Sequence, residues 1–117
     1  MMIEIENIVE SYNEYIKKIP NGAVYIAERL REDRVQEALI SIKDFSEGVL
    51  WLTEASELLK QNKAIAELSI EKIKEFLIEI NEGLEKHDYV LVADMFEYEI
   101  APFFEEVTPA EGLIQYI

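Results

Sequence analysis

The apolar residues of this chain recur at spacings of three and four almost from end to end, and that helical period confines it to packed helices. Strands would need alternation, and a β-sandwich would need turn residues every few positions. The 117 residues hold only 4 Gly and 3 Pro, so that turn chemistry is missing. Half of the residues are hydrophobic, enough for one core without staples. The expectation is a single all-α domain over residues 1–117: an antiparallel bundle of four main helices plus one short helix, with a C-terminal tail from about residue 108.

The first helix carries Ile5, Ile8, Val9, Tyr12, Ile16 and Ile19 on one face and Glu6, Glu10, Glu14 and Lys17 on the other. Pro20-Asn21-Gly22 reads as a stop. Ala23, Ile26, Ala27 and Leu30 then line the short helix. Asp33-Arg34-Val35-Gln36 has the spacing of a capping box and opens the longest helix, about 34–60. Its core stripe is Val35, Ala38, Leu39, Ile42, Phe45, Val49, Leu52 and Leu59. Gly48 within it costs about 1 kcal/mol relative to Ala, which points to close approach of a neighbouring helix.

Gln61-Asn62-Lys63 begins a connection, and Ser69 is placed to cap the next helix, which buries Ile70, Ile73, Phe76, Leu77, Ile80 and Leu84. Asp88 caps the last long helix, which runs to about Glu106. Pro102 removes an amide donor there, so a kink is expected near residues 98–102.

At about 100° per residue, the helices divide into two kinds. The first and the Ser69-capped helix are apolar on one side only, as outer members are. The 34–60 helix sets Ile40, Trp51 and Leu58 opposite its core stripe, among Asp44, Glu47 and Glu54. The last helix turns Tyr89, Val92, Ala93, Phe96, Ile100, Phe103 and Phe104 inward, and sets Leu91, Met95 and Tyr98 on its other side beside Asp94. Either the short helix and the tail cover these second faces, or they form one patch for a protein partner or a second copy. The patch reading comprises Ile40, Trp51, Leu58, Leu91, Met95 and Tyr98; aromatic and Met side chains commonly anchor such surfaces. Asp94, flanked by apolar side chains, either forms a buried ion pair with an arginine, the reading favoured here, or faces water at the edge of the patch.

Charge sets several functions aside. With 25 acidic against 11 basic residues the net charge is −14, which repels phosphate backbones and anionic lipid. Arg29, Arg31 and Arg34 are interrupted by Glu32 and Asp33 and read as members of surface ion pairs. No apolar run approaches the roughly 20 residues of a membrane span. The start, Met1-Met2-Ile3-Glu4-Ile5-Glu6, lacks the pattern of a signal peptide. With no cysteines besides, a cytoplasmic location is expected.

Catalytic and metal chemistry is not visible. Di-iron bundles need Glu-x-x-His, and the one histidine, His87, has Leu84 three places before it. Asp94, Glu97 and Glu99 cluster in sequence, but Glu99 points away from the other two, and no EF-hand loop is present. No cofactor, metal site or enzymatic activity is expected.

Two stretches carry a resemblance. Asp88-Tyr89-Val90-Leu91-Val92-Ala93-Asp94-Met95-Phe96-Glu97-Tyr98-Glu99-Ile100-Ala101-Pro102 is one; Glu37-Ala38-Leu39 through Gly48 and Trp51-Leu52 is the other. Both resemble small uncharacterised acidic proteins of Gram-positive bacteria, which implies no particular activity. In architecture alone the chain is similar to flagellar type III export chaperones, whose late amphipathic helices hold a client. The function expected is a non-enzymatic, self-associating protein-interaction module. The alternatives are a secretion chaperone and a carboxylate metal-binding or hydrolytic protein.

Overall fold

Helix α1 runs without a break over Met2–Arg31, so Pro20-Asn21-Gly22 does not stop it. The expected short helix is the upper half of α1. The buried residues Ile5, Tyr12, Ile16, Ile19, Ala23, Ile26, Ala27 and Leu30 keep the three-and-four spacing in phase across the proline. A proline inside a helix costs about 3 kcal/mol, but each fully buried Ile contributes roughly 1.5–3 kcal/mol. Ile16, Ile19 and Ile26 around the proline outweigh it.

The computed structural model describes residues 2–112 and continues with α2 (Val35–Gln61) and α3 (Ile70–Glu85). A last helical rod follows: α4 (Tyr89–Asp94), a π-helical stretch (Met95–Ile100) and α5 (Ala101–Glu106). The four rods alternate in direction. α1 packs along α2 on one side and along the whole last rod on the other, while α3 packs on the last rod and only lightly on α2. The bundle is long and slim, 56 × 21 × 20 Å. The helix expected at the edge, α1, is therefore the one with a long neighbour on each side.

Phe45 of α2 crosses the centre to meet the last rod, edge to face with Phe96 and Phe104 at 5.1 and 6.4 Å between ring centroids. Phe76 of α3 meets Phe103 in the same manner at 5.4 Å. Phe103 and Phe104 are themselves edge to face at 5.0 Å, so rings from α2, α3 and the last rod form one core.

The helix ends share a device. α1, α2 and α3 each stop on a non-glycine residue in the left-handed region: Asp33 (φ 60°), Lys63 (φ 65°) and His87 (φ 55°). At the first, Arg34 N–H donates to Arg29 O at 2.9 Å and Asp33 N–H to Leu30 O at 3.3 Å. Ala64 to Leu59 with Lys63 to Lys60, and Asp88 to Gly83 with His87 to Leu84, repeat the pair. These are Schellman caps, which satisfy the terminal carbonyls. Asp33 thus closes α1 and makes no capping box. Arg34 takes the N-cap position of α2 with no side-chain capping bond. Ser69 and Asp88 do cap as expected, accepting from the amides of Lys72 (3.3 Å) and Leu91 (3.1 Å).

At Pro102 the helix changes pitch. Ala101 N–H donates to Phe96 O, five residues back, at the end of the π-helical stretch. This wider turn stands where a kink was expected, beside the donor that Pro102 lacks.

The start of the tail is tied down. Asn13 brackets Ala110, donating to its carbonyl at 3.0 Å and accepting from its amide at 2.7 Å. Ile65 and Glu111 exchange two antiparallel backbone bonds at 3.0 and 2.9 Å. The expected tail beyond Gly112 lies outside the described residues.

Candidate functional site

On the outer side of α2 three exposed apolar residues line up. Ile40, Trp51 and Leu58 are 65, 39 and 42 % exposed. Separations of 11 and 7 residues bring them within about 20° of one line on a helix. Inward of that line come Asp44 and Gly48, and outward come Glu47 and Glu54.

Gly48 admits α1. A Cβ there would lie 1.6 Å from Tyr15 Oη and 2.3 Å from Cζ, so the Tyr15 ring occupies the space a side chain would fill. That ring stands edge-on to Trp51, with centroids 6.3 Å apart. Burial, and then the negative field of Asp44, raises the Tyr15 hydroxyl above its ordinary pKa of 10.0.

Beside Tyr15 the α1–α2 seam opens into a cleft of about 210 Å³, lined by Tyr25, Gly22, Ser41, Asp44 and Phe45 among others. Gly22 has no atom within 4 Å of where a Cβ would stand, so the mouth is unobstructed on that side. The Arg29 guanidinium lies over the Tyr25 ring, 5.0 Å from its centroid.

The second face of the last rod has a different fate. Met95, expected on the surface patch, is 1 % exposed and sits in the core. Its amide still bonds Leu91 O and Val92 O as in a regular helix, so its direction is the expected one; α3 lies over that side, and Met95 shares a shallow cleft there with Glu79, Glu82 and Gly83. Leu91 keeps 46 % exposure, but its Cδ2 would lie 3.9 Å from a Cβ on Gly83 of α3. Tyr98 is 65 % exposed, with the Arg31 guanidinium 5.7 Å from its ring centroid.

α2 and the last rod do not lie side by side, so the six expected residues do not form one patch. Three of them, Ile40, Trp51 and Leu58, share the α2 strip; Leu91 and Tyr98 lie elsewhere.

Asp94 does pair with an arginine, but at the surface rather than in the interior. Arg31 bonds it at 2.9 Å and bonds Glu97 as well, with side-chain exposures of 37 % for Arg31 and 52 % for Asp94. Arg29 pairs with Glu32 and Arg34 with Glu37, so all three arginines of the cluster are engaged by carboxylates.

Tyr15, Lys18, Ser41 and Asp44 are among the polar side chains that line the cleft. A hydroxyl that is harder to ionise is the wrong direction for a tyrosine acting as a base near neutral pH. His87 sits at the exposed end of α3 in its left-handed cap, with the ring against Tyr89. Among the described residues there is no group of three or more His, Cys, Asp or Glu that could hold a metal, and no helix long and apolar enough to cross a membrane.

Tyr15 and Tyr25 were not singled out from the sequence. Tyr15, Lys18, Gly22 and Tyr25 follow at three, four and three, one face of a continuous helix. Dividing the helix at Pro20 hides that face.

What the fold defines is an all-α, antiparallel four-helix bundle with an open apolar strip on one helix. The chain belongs to the family described as Domain of unknown function (DUF8042), which matches residues 7–109 and includes both stretches that carried the resemblance. No curated protein and no solved structure matches it.

Proposed function

We propose that the chain is a non-enzymatic, cytoplasmic protein-interaction module that docks its partner on the outer face of α2. The observation that supports this reading is the alignment of Ile40, Trp51 and Leu58, all exposed, on one helix face. Single exposed apolar residues are normal, but an aligned group with a tryptophan beside a cleft is the form interaction surfaces take. The described tail cannot serve as the cover, because Asn13 and Ile65 hold Ala110 and Glu111 at another place. Both a second copy and a different protein satisfy this reading. An export chaperone is one such module, although the likeness there is architectural.

The test is site-directed photo-crosslinking in cells, with the reactive residue placed at Ile40 or Leu58. Ile78 is the control, an isolated apolar residue on the outside of α3 with 58 % exposure. A discrete adduct from Ile40 and Leu58 and none from Ile78 is expected. No adduct, or the same adduct from all three, would overturn the reading.

A further inference from the structure

We infer that the occupant of the α2 face is a basic amphipathic helix, with apolar side chains on one side and Lys or Arg along its borders. This rests on the docking reading above and adds the chemistry of the partner.

Length comes first. Ile40 to Leu58 spans 18 residues of α2, about 27 Å at 1.5 Å per residue, the span of five helical turns. A partner helix laid along it can seat apolar side chains at spacings of three, four and seven on Ile40, Trp51 and Leu58.

Charge then selects the partner. Asp44, Glu47 and Glu54 follow the strip on α2, and Glu14 stands on α1 near Tyr15; the ion pairs among the described residues involve other carboxylates. The cluster arginines are already engaged, and the cations nearest the strip are Lys43, four residues from Glu47 on α2, and Lys18 at the cleft rim beside Asp44; three carboxylates against these two lysines leave the border acidic. A second copy applied about a twofold axis would set that border against itself, in a chain already at −14. Like charges in apposition penalise that pairing, whereas a basic helix gains from the same border. Anionic membranes and nucleic acids are repelled for the same reason.

The cleft supplies a specific seat. Tyr15 and Tyr25 give it aromatic walls and Asp44 gives it a carboxylate, with the mouth open at Gly22. Rings with a nearby carboxylate are the environment that holds a long cationic side chain. Arg29 over Tyr25 already shows one such contact within the chain. A Lys or Arg of the partner helix would enter here, displacing the exposed Lys18 from the rim.

The test uses two synthetic 18-residue peptides without tryptophan. One has a Leu face and a Lys face; the other has Gln in place of every Lys. Trp51, the one tryptophan, reports binding by its emission. The Lys peptide should bind saturably with a blue shift. The Gln peptide should bind at least about tenfold more weakly, as should the Lys peptide to a D44N/E47Q/E54Q variant with an unchanged melting curve. Equal binding of both peptides would overturn the basic assignment while leaving the docking face standing. No binding of either would also overturn it, and the crosslinks would then judge the face alone. Calorimetric titration of an I40A/L58A variant guards against attraction by net charge alone: undiminished affinity there overturns the proposal. A wild-type dimer in sedimentation that Leu58→Glu disperses would assign the face to a second copy instead.

Discussion

α2 and the last rod present the same pattern in the sequence, a helix apolar on two sides, and the bundle treats them differently. On the last rod the second face is divided: Met95 is buried, while Leu91 and Tyr98 keep 46 and 65 % exposure beside contacts from α3 and Arg31. α3 covers Met95, Gly83 lets α3 approach Leu91, and Arg31 settles over Tyr98. On α2 only Trp51 meets a neighbour, the Tyr15 ring, and Ile40, Trp51 and Leu58 all stay at the surface. Two-sided apolarity therefore does not by itself mark a docking face. What separates the cases is whether the chain has an element left to lay on the second side.

The sharpest way to break this contrast is a pair of truncations. Met95→Ala should cost about 2–5 kcal/mol, the usual range for emptying a buried Met site. Ile40→Ala should stay within about 0.5 kcal/mol, as surface changes do. Urea unfolding of both variants decides it. A large loss from Ile40→Ala would mean that the α2 face is packed and not open.

A smaller effect is expected where the open face meets α1. Gly48→Ala puts a methyl into the Tyr15 ring, so the ring must swing out. Helix propensity gains about 1 kcal/mol. Against that stand the edge-on contact with Trp51, about 0.5–1.5 kcal/mol, and the partial burial of the ring, up to about 2 kcal/mol. A net loss of about 1–2 kcal/mol should result, with a red shift of Trp51 emission as its cover leaves. A stabilised variant with unchanged emission would show that Tyr15 does not hold the seam.

The recurrence of apolar residues at three and four made the inner faces legible, and nearly every residue expected in the core is buried or half-buried. The division of the chain was harder to read, because turn chemistry and tertiary burial compete. At Pro20 burial of the isoleucines wins and the helix continues. At Asp33, Lys63 and His87 the caps carry no glycine, the usual signal of a left-handed stop. The bridge from Ile65 to Glu111 joins segments 46 residues apart and leaves no periodic trace. Met95 was misplaced because a helical wheel shows which residues share a face but not which neighbour, here α3, covers it. The candidate site was half legible: the α2 strip follows from spacing on one helix, whereas the cleft depends on α1 being unbroken.

The two helix pairs differ in one further respect, and it gives the smallest predicted effect at neutral pH. Among the described residues, the buried polar atoms without a partner are Tyr12 Oη, Arg29 Nε and Ser56 Oγ, all on α1 or α2 and none on α3 or the last rod. Tyr12 is fully buried, and burial pushes its hydroxyl from 10.0 up to about 12. Tyr12→Phe removes an unsatisfied hydroxyl while keeping the ring, so at pH 7 it should be neutral or stabilising by up to about 1 kcal/mol. Because the folded-state pKa lies above the unfolded one, the contribution of neutral Tyr12 is complete below pH 10. It declines as pH rises, because the unfolded chain gives up the proton first, and it is lost as pH passes through about 12. The phenylalanine variant has no such proton, so its advantage over the wild type should widen between pH 10 and 12. Parallel urea melts at pH 7 and 11 measure it. A gap that stays constant, or a variant that is less stable at pH 7, would mean that the Tyr12 hydroxyl has a partner and that the α1–α2 pair is as fully satisfied as the other.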